Sequence, residues 1–332
     1  MQLNTKLNAS ITAVGGYVPE HRLLNKNLEQ IVDTNDEWIQ SRTGIKERRI
    51  LKDPSKATSF LAIQASKNLI SKNNIDPLTI DMVIVATTTP DMQIAATAAH
   101  VASEIGSYNA FGYDLQAACS GFLYAMSMAS GKIESGRYKK VLVVGADKMS
   151  SVIDYKDRST CILFGDGAGA VLFESNNEGL GWQDEYFKSN GDGRESLNVK
   201  AGGSLFPATS TTISNRDHYL RQDGRKVFKT AVSAMSDASS TILKRNNLVG
   251  EDIDYLVAHQ ANERIIESIA KRMSLKPSKV LKNIAKYGNT TAATIPLLLY
   301  DFQNKFKRGD KIIFAAFGGG FTWGAAYYIW SK

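Results

Sequence analysis

One pattern occurs twice along this chain, and the repeat limits the fold more than any other feature. Ile80-Asp81-Met82-Val83 is echoed by Ile253-Asp254-Tyr255-Leu256, and each copy runs on through a helical stretch into a small-residue segment. Those segments are centred on Cys119 and Asn289, and each is followed by an apolar helix and a strand beginning near Val141 or Ile312. The intervals agree: Asp81 to Cys119 is 38 residues and Asp254 to Asn289 is 35, while Cys119 to Val141 and Asn289 to Ile312 are 22 and 23. Two copies of one α/β unit, 1–178 and 179–332, are therefore expected. A pseudo-dyad would bring both segments to a single site built from the two halves.

The short β-branched runs Met82–Ala86, Val141–Val144, Tyr255–Val257 and Ile312–Phe314 alternate with helical patterns, which gives a layered α/β fold. Gly167–Glu174 and Ala325–Trp330 each follow a glycine turn, so antiparallel strands are expected to close each half and leave mixed sheets. With 332 residues, 43% of them apolar, there is ample chain for a large core.

Lysine and arginine exceed acidic residues 40 to 33, a net +7 that suits acidic or nucleotide-bearing partners and falls short of a dedicated nucleic-acid binder. The opening MQLNTKLNAS lacks the charged-then-apolar pattern of an export signal, which predicts a cytoplasmic protein. No apolar run is long enough to span a bilayer, so no membrane is expected. Two cysteines and four histidines show no ligand spacing, and no metal is expected.

Cys119 sits in Asp114-Leu-Gln-Ala-Ala-Cys-Ser-Gly-Phe-Leu-Tyr, where a strand-like segment passes through small residues into a helix. A helix start favours thiolate over thiol, and the Cys119 amide is free to face an acyl oxygen. Cys161, in the strand-like run Thr160-Cys-Ile-Leu-Phe with no basic partner nearby, reads as a small buried hydrophobe. His259 stands where the strand Tyr255–Ala258 hands over to a helix, the end at which α/β sites gather. His21, His100 and His218 have no such placement. Asn289, in Tyr-Gly-Asn-Thr-Thr-Ala-Ala-Thr, reads alone as a turn and helix cap. Phe317-Gly-Gly-Gly-Phe-Thr-Trp-Gly permits close approach of backbone to a ligand. Gly165-Asp-Gly-Ala-Gly-Ala leads into a strand and is no dinucleotide fingerprint.

Taken in order, Asp36-Glu-Trp-Ile-Gln-Ser-Arg-Thr-Gly-Ile, Ala118-Cys-Ser-Gly-Phe, Phe164-Gly-Asp-Gly-Ala-Gly-Ala, His259-Gln-Ala-Asn, Gly288-Asn-Thr and the terminal glycine run resemble the β-ketoacyl-acyl-carrier-protein synthase III family. These are the initiating condensing enzymes of bacterial type II fatty-acid synthesis, and the match runs nearly end to end. The resemblance implies a five-layered αβαβα thiolase fold and a homodimer. It implies a triad of Cys119, His259 and Asn289, with acyl-CoA and malonyl-acyl-carrier protein as substrates and no separate cofactor. The amides of Cys119 and Gly319 would form the oxyanion hole, and Phe317 would lie beside the malonyl carboxylate. Trp38, Arg42 and Arg158 match positions that meet coenzyme A.

For docking of the acidic carrier, Lys229, Arg264, Lys271 and Arg272 are the candidates, since Arg264 and Lys271 are seven apart and share a helix face. Ile94 stands where the family often has a phenylalanine that lines the partner subunit's acyl pocket. Elongating relatives use Cys-His-His and degradative thiolases add a C-terminal cysteine; neither fits. A related acyltransferase or condensing enzyme of secondary metabolism shares the triad and remains the alternative.

Overall fold

The computed structural model describes residues 7–332, so the polar opening up to Lys6 lies outside the described residues. The first sheet contains β1 (Asn8–Tyr17), β2 (Met82–Ala86), β3 (Phe111–Leu115), β4 (Lys140–Lys148) and β5 (Asp166–Asn176), in the spatial order β1-β5-β4-β2-β3. Strand β2 lies parallel to β3 and β4, whereas β5 is antiparallel to β4 and β1. The second sheet contains β6 (Gly181–Ser189), β7 (Tyr255–Ala258), β8 (Lys311–Gly318) and β9 (Thr322–Ile329), in the order β7-β8-β9-β6. Its β7–β8 pair is parallel and the other two are antiparallel. The two mixed sheets follow one plan. The counterpart of β3 is reduced to a single parallel bridge, Leu256 to Val280.

Helices complete five layers. On the outside of the first sheet pack α1 (Thr58–Lys72) and α2 (Thr97–Glu104), burying Leu61, Leu69 and Val101 against Val83, Val85 and Val144. Between the sheets run α3 (Gly121–Glu134) and α6 (Thr294–Phe302), with Phe122, Met126, Ile295 and Leu298 meeting Val143 on one side and Phe314 on the other. Outside the second sheet lie α4 (Gly224–Arg245) and α5 (Glu263–Arg272), burying Ile242 and Ile266 against Leu256 and Ile313. Strands covered on both faces explain the continuous apolar runs that mark β2, β4, β7 and β8 in the sequence. Pro296 is tolerated because it falls in the first turn of α6, where its missing N–H has no intrahelical partner to lose.

The repeat holds, with one correction. Short 3₁₀ turns precede the two central helices, at Ala118–Ser120 and Thr291–Ala293, and each opens on a left-handed residue, Ala118 at φ 47° and Thr291 at φ 51°. The counterpart of Cys119 is therefore Ala292, and not Asn289 as the intervals alone suggest. Counted this way, Asp81 to Cys119 (119 − 81) and Asp254 to Ala292 (292 − 254) are both 38 residues. Asn289 lies just upstream of its turn.

Candidate active site

The strand-to-turn passage at Cys119 is fixed from both sides. Asp114 at the end of β3 caps α2, accepting from the amides of Thr97 and Ala98 at 2.8 Å each. Ser120 Oγ donates to Thr322 O at 3.0 Å, and Thr322 Oγ1 donates to Ala117 O at 2.8 Å, which ties the turn to the terminal glycine loop. A Cβ at Gly318 would stand 2.7 Å from the Cys119 nitrogen and 2.9 Å from Ala117 O, so only glycine lets β8 pass this close. A non-glycine residue held in the left-handed region, as Ala118 is, costs of order 1–3 kcal/mol.

Cys119 opens onto a cavity of about 630 Å³, within the size range of small-molecule sites. His259, Asn289, Phe317 and Gly319 line the same cavity, together with apolar side chains such as Leu197 and Phe228. The second sheet and its connections thus bring their chemistry to the cysteine of the first half.

The helix-start argument for a Cys119 thiolate is overridden here. Burial pushes the thiol up to about 12, the Asp147 carboxylate pushes the same way, and the Cys119 amide and the Asn289 side chain pull back less. The resting form is the thiol. Iodoacetamide alkylation of Cys119 should therefore be slow near neutrality and rise about tenfold per pH unit through pH 10. A plateau below pH 9, read by peptide mass, would contradict this. Burial pushes His259 down to about 3, so its resting ring is neutral, with one nitrogen carrying a hydrogen and the other a free lone pair.

His259 follows β7, and its amide donates to Ala315 O at 2.8 Å. Its Nδ1 lies 2.7 Å from Thr294 Oγ1, which donates to Thr291 O at 3.0 Å. Asn289 Oδ1 accepts from the Thr291 amide at 2.8 Å, leaving Nδ2 to donate to Cys119. Thr291 itself is held by Asp147, whose buried carboxylate also accepts from the Ala292 amide and from the hydroxyls of Thr87, Thr88 and Thr89. Thr87–Thr89, Asp147, Thr291 and Thr294 belong to no motif that singles them out in the sequence. Three hydroxyl residues directly after the β2 run were the available signal.

The remaining candidates fall at several places. Phe317 packs against Phe321 with ring centroids 4.9 Å apart, on the cavity wall. Trp38, Arg42 and Arg158 stand outside the cavity lining; the Arg158 guanidinium lies 4.9 Å over the Trp38 ring, and Arg42 O accepts from Asn262, a lining residue, at 2.9 Å. Ile94 is fully exposed at φ 74° and does not line its own chain's cavity. Lys229, Arg264, Lys271 and Arg272 are exposed, Arg264 lying 5.3 Å over the ring of Phe228 and Arg272 pairing with Asp237 at 3.1 Å.

Cys161 does not lie in the strand that its apolar run predicts. It ends the short helix Arg158–Cys161, capped by Asp157. Burial and Asp157 push it up to about 11, while the buried Arg48, a basic neighbour from far along the chain, pulls it down. Among the described residues no group of three His, Cys, Asp or Glu is placed to hold a metal, and no helix is long and apolar enough to cross a membrane.

The comparisons with known proteins agree along nearly the whole chain. Residues 113–191 match the family model described as 3-oxoacyl-[acyl-carrier-protein] synthase III, and residues 243–330 match that of its C-terminal part. The β-ketoacyl-[acyl-carrier-protein] synthase III 2 of Bacteroides thetaiotaomicron is 53% identical over 98% of this chain and 97% of that protein. The crystal structure of 3-oxoacyl-[acyl-carrier-protein] synthase III from Aquifex aeolicus VF5 superposes with a TM-score of 0.89 at 40% identity, covering 97% of this chain and 100% of that one. The priming β-ketosynthase from the R1128 polyketide biosynthetic pathway gives a TM-score of 0.90 at 30% identity, covering 100% and 99%. The chain therefore belongs to the β-ketoacyl-[acyl-carrier-protein] synthase III family of condensing acyltransferases.

Proposed function

We propose that this enzyme carries out the initiating condensation of type II fatty-acid synthesis, with Cys119 as the acyl carrier. The observation behind this is the meeting of a buried thiol, a neutral imidazole and an amide donor on one largely apolar cavity. In the first half-reaction Sγ of Cys119 attacks the thioester carbon of acyl-CoA, and the charge on the carbonyl oxygen falls on the Cys119 and Gly319 amides. In the second, malonyl-acyl-carrier protein loses carbon dioxide. Its enolate carbon attacks the acyl-Cys119 carbonyl, releasing β-ketoacyl-carrier protein, while His259 and Asn289 donate to the enolate oxygen. Each such donor is worth on the order of 3 kcal/mol in the transition state. Phe317 lowers the solvation of the malonyl carboxylate and favours its loss.

Coenzyme A is a substrate, and we assign no other cofactor, metal, nucleic acid or membrane. Its adenine belongs at Trp38 and Arg158, with Arg42 beside it. Inserting a base between ring and guanidinium needs about 7 Å, two van der Waals contacts, so Arg158 must swing off the ring. Trp38→Ala is expected to raise KM for acyl-CoA roughly tenfold, in line with about 1–3 kcal/mol for base stacking. It should leave transfer from a thioester lacking the nucleotide unchanged; equal losses with both donors would remove Trp38 from the coenzyme A site.

The carrier protein belongs on the basic face of Lys229, Arg264, Lys271 and Arg272, which adjoins the cavity through the Arg264–Phe228 contact. We further propose a cytoplasmic homodimer formed across β3, the edge strand of the first sheet, whose Phe111 is half exposed. In that dimer Ile94 would reach the partner subunit's acyl pocket. The halves divide at residue 178, between β5 and β6. The likeness to a polyketide priming synthase keeps a role in secondary metabolism as the second reading. Incubation with acyl-CoA and malonyl-carrier protein should release carbon dioxide and a β-ketoacyl-carrier product in equal amounts. Acyl transfer to an acceptor without carbon dioxide release would instead identify an acyltransferase.

A further inference from the structure

We propose that Thr294 is a positioning residue that fixes His259 as its Nδ1–H tautomer, so that Nε2 is the single basic nitrogen turned toward the Cys119 cavity. The inference rests on the reading of Cys119 and His259 as reaction partners. Thr294 Oγ1 has one hydrogen and two neighbours, the Thr291 carbonyl at 3.0 Å and His259 Nδ1 at 2.7 Å. The Thr291 carbonyl accepts from the Thr294 amide and has a second lone pair for the hydroxyl hydrogen, and Oγ1 then meets Nδ1 as an acceptor. The Nδ1–H tautomer satisfies every donor in this chain. The other tautomer would aim an N–H from Nε2 into the cavity, where Nε2 has no hydrogen-bond partner among the described residues. Thr291, the far end of the chain, is clamped by the Asp147 carboxylate, and all four residues are buried, so the rotor has little freedom.

The assignment gives Nε2 opposite tasks in the two halves. During acyl transfer the Cys119 S–H proton passes to Nε2 as Sγ bonds the acyl carbon. The C–S bond to coenzyme A then breaks, and the departing thiolate takes that proton, returning His259 to neutral. Donation to the enolate oxygen requires a second proton on Nε2. The condensation consumes one proton overall, because a carboxylate leaves as carbon dioxide. That proton resides on His259 beside the malonyl carboxylate and passes to the Cys119 thiolate when the β-ketoacyl product is released.

The test uses full-length enzyme labelled with ¹⁵N in its four histidines. In the free wild type the His259 ring is expected to show a protonated Nδ1 and an unprotonated Nε2. Thr294→Val, close to threonine in shape, should lose that preference and acylate Cys119 from acyl-CoA on the order of tenfold more slowly or worse. Thr294→Ser should retain both properties. A wild-type ring protonated at Nε2 overturns the proposal, as does Thr294→Val with unchanged tautomer and rate. If Thr294→Val fails to fold, the wild-type and Thr294→Ser spectra decide alone. The spectrum is taken without substrate, so a wild type that shows the tautomer but never condenses defeats the functional reading and leaves this one standing.

Discussion

Asn289→Ala should slow condensation by about 10²–10³-fold while acyl transfer to Cys119 falls far less. The reason lies in how the amide is held. Its Oδ1 is committed to the Thr291 amide at 2.8 Å, so Nδ2 has one orientation and no reorganisation is needed when charge develops on the enolate. Alanine removes that donor from a low-dielectric cavity where water is a poor replacement. Acyl transfer relies on the Cys119 and Gly319 amides instead, which the substitution leaves in place. Single-turnover acylation followed by intact mass, beside carbon dioxide release from malonyl-carrier protein, separates the two. Equal losses in both halves would show that Asn289 only supports the fold.

The largest stability loss is expected for Asp147→Ala, about 3–5 kcal/mol in denaturant unfolding, with activity lost alongside. Asp147 is fully buried and accepts from the Thr87, Thr88, Thr89 and Thr291 hydroxyls and from the Thr88, Thr89 and Ala292 amides. Alanine strands those donors without water, at about 1–3 kcal/mol for each one left unpaired after relaxation. The same loss frees Thr291, whose left-handed φ of 51° positions Asn289. Asp147 therefore couples the loop after β2 in the first half to the turn before α6 in the second. A change below about 1 kcal/mol would mean the network is not structural.

How much of this was legible in the chain depended on whether the signal was local. The apolar strands β2, β4, β7 and β8 and the places of Cys119 and His259 at strand ends follow from residues within a few positions of one another, and the duplicated unit from two such local patterns repeated at Asp81 and Asp254. Strands β1 and β6 carry no strong local signal: NASITAVGGY is rich in alanine and glycine, and GWQDEYFKS is largely polar, so pairing with β5 and β9 makes them strands rather than propensity. The Asp147 cluster was invisible because it joins residues 144 apart, Asp147 and Thr291, and neither carries a motif. In the second half Gly288-Asn289 stands out as a turn, while the counterpart of Cys119, Ala292, has no chemistry to announce it. The apolar run Cys161–Phe164 mimics a strand, but only Cys161 belongs to a regular element, the last residue of a short capped helix, and Ile162 and Leu163 form the turn after it.

The most direct measurement of the central claim is intact mass of wild type, Cys119→Ala and Cys161→Ala after exposure to a panel of acyl-CoA thioesters, followed by malonyl-carrier protein. One acyl mass is expected on wild type and Cys161→Ala, none on Cys119→Ala, with discharge as β-ketoacyl-carrier protein. An acyl mass on Cys119→Ala, or none on wild type with any donor, would contradict Cys119 as the acyl carrier.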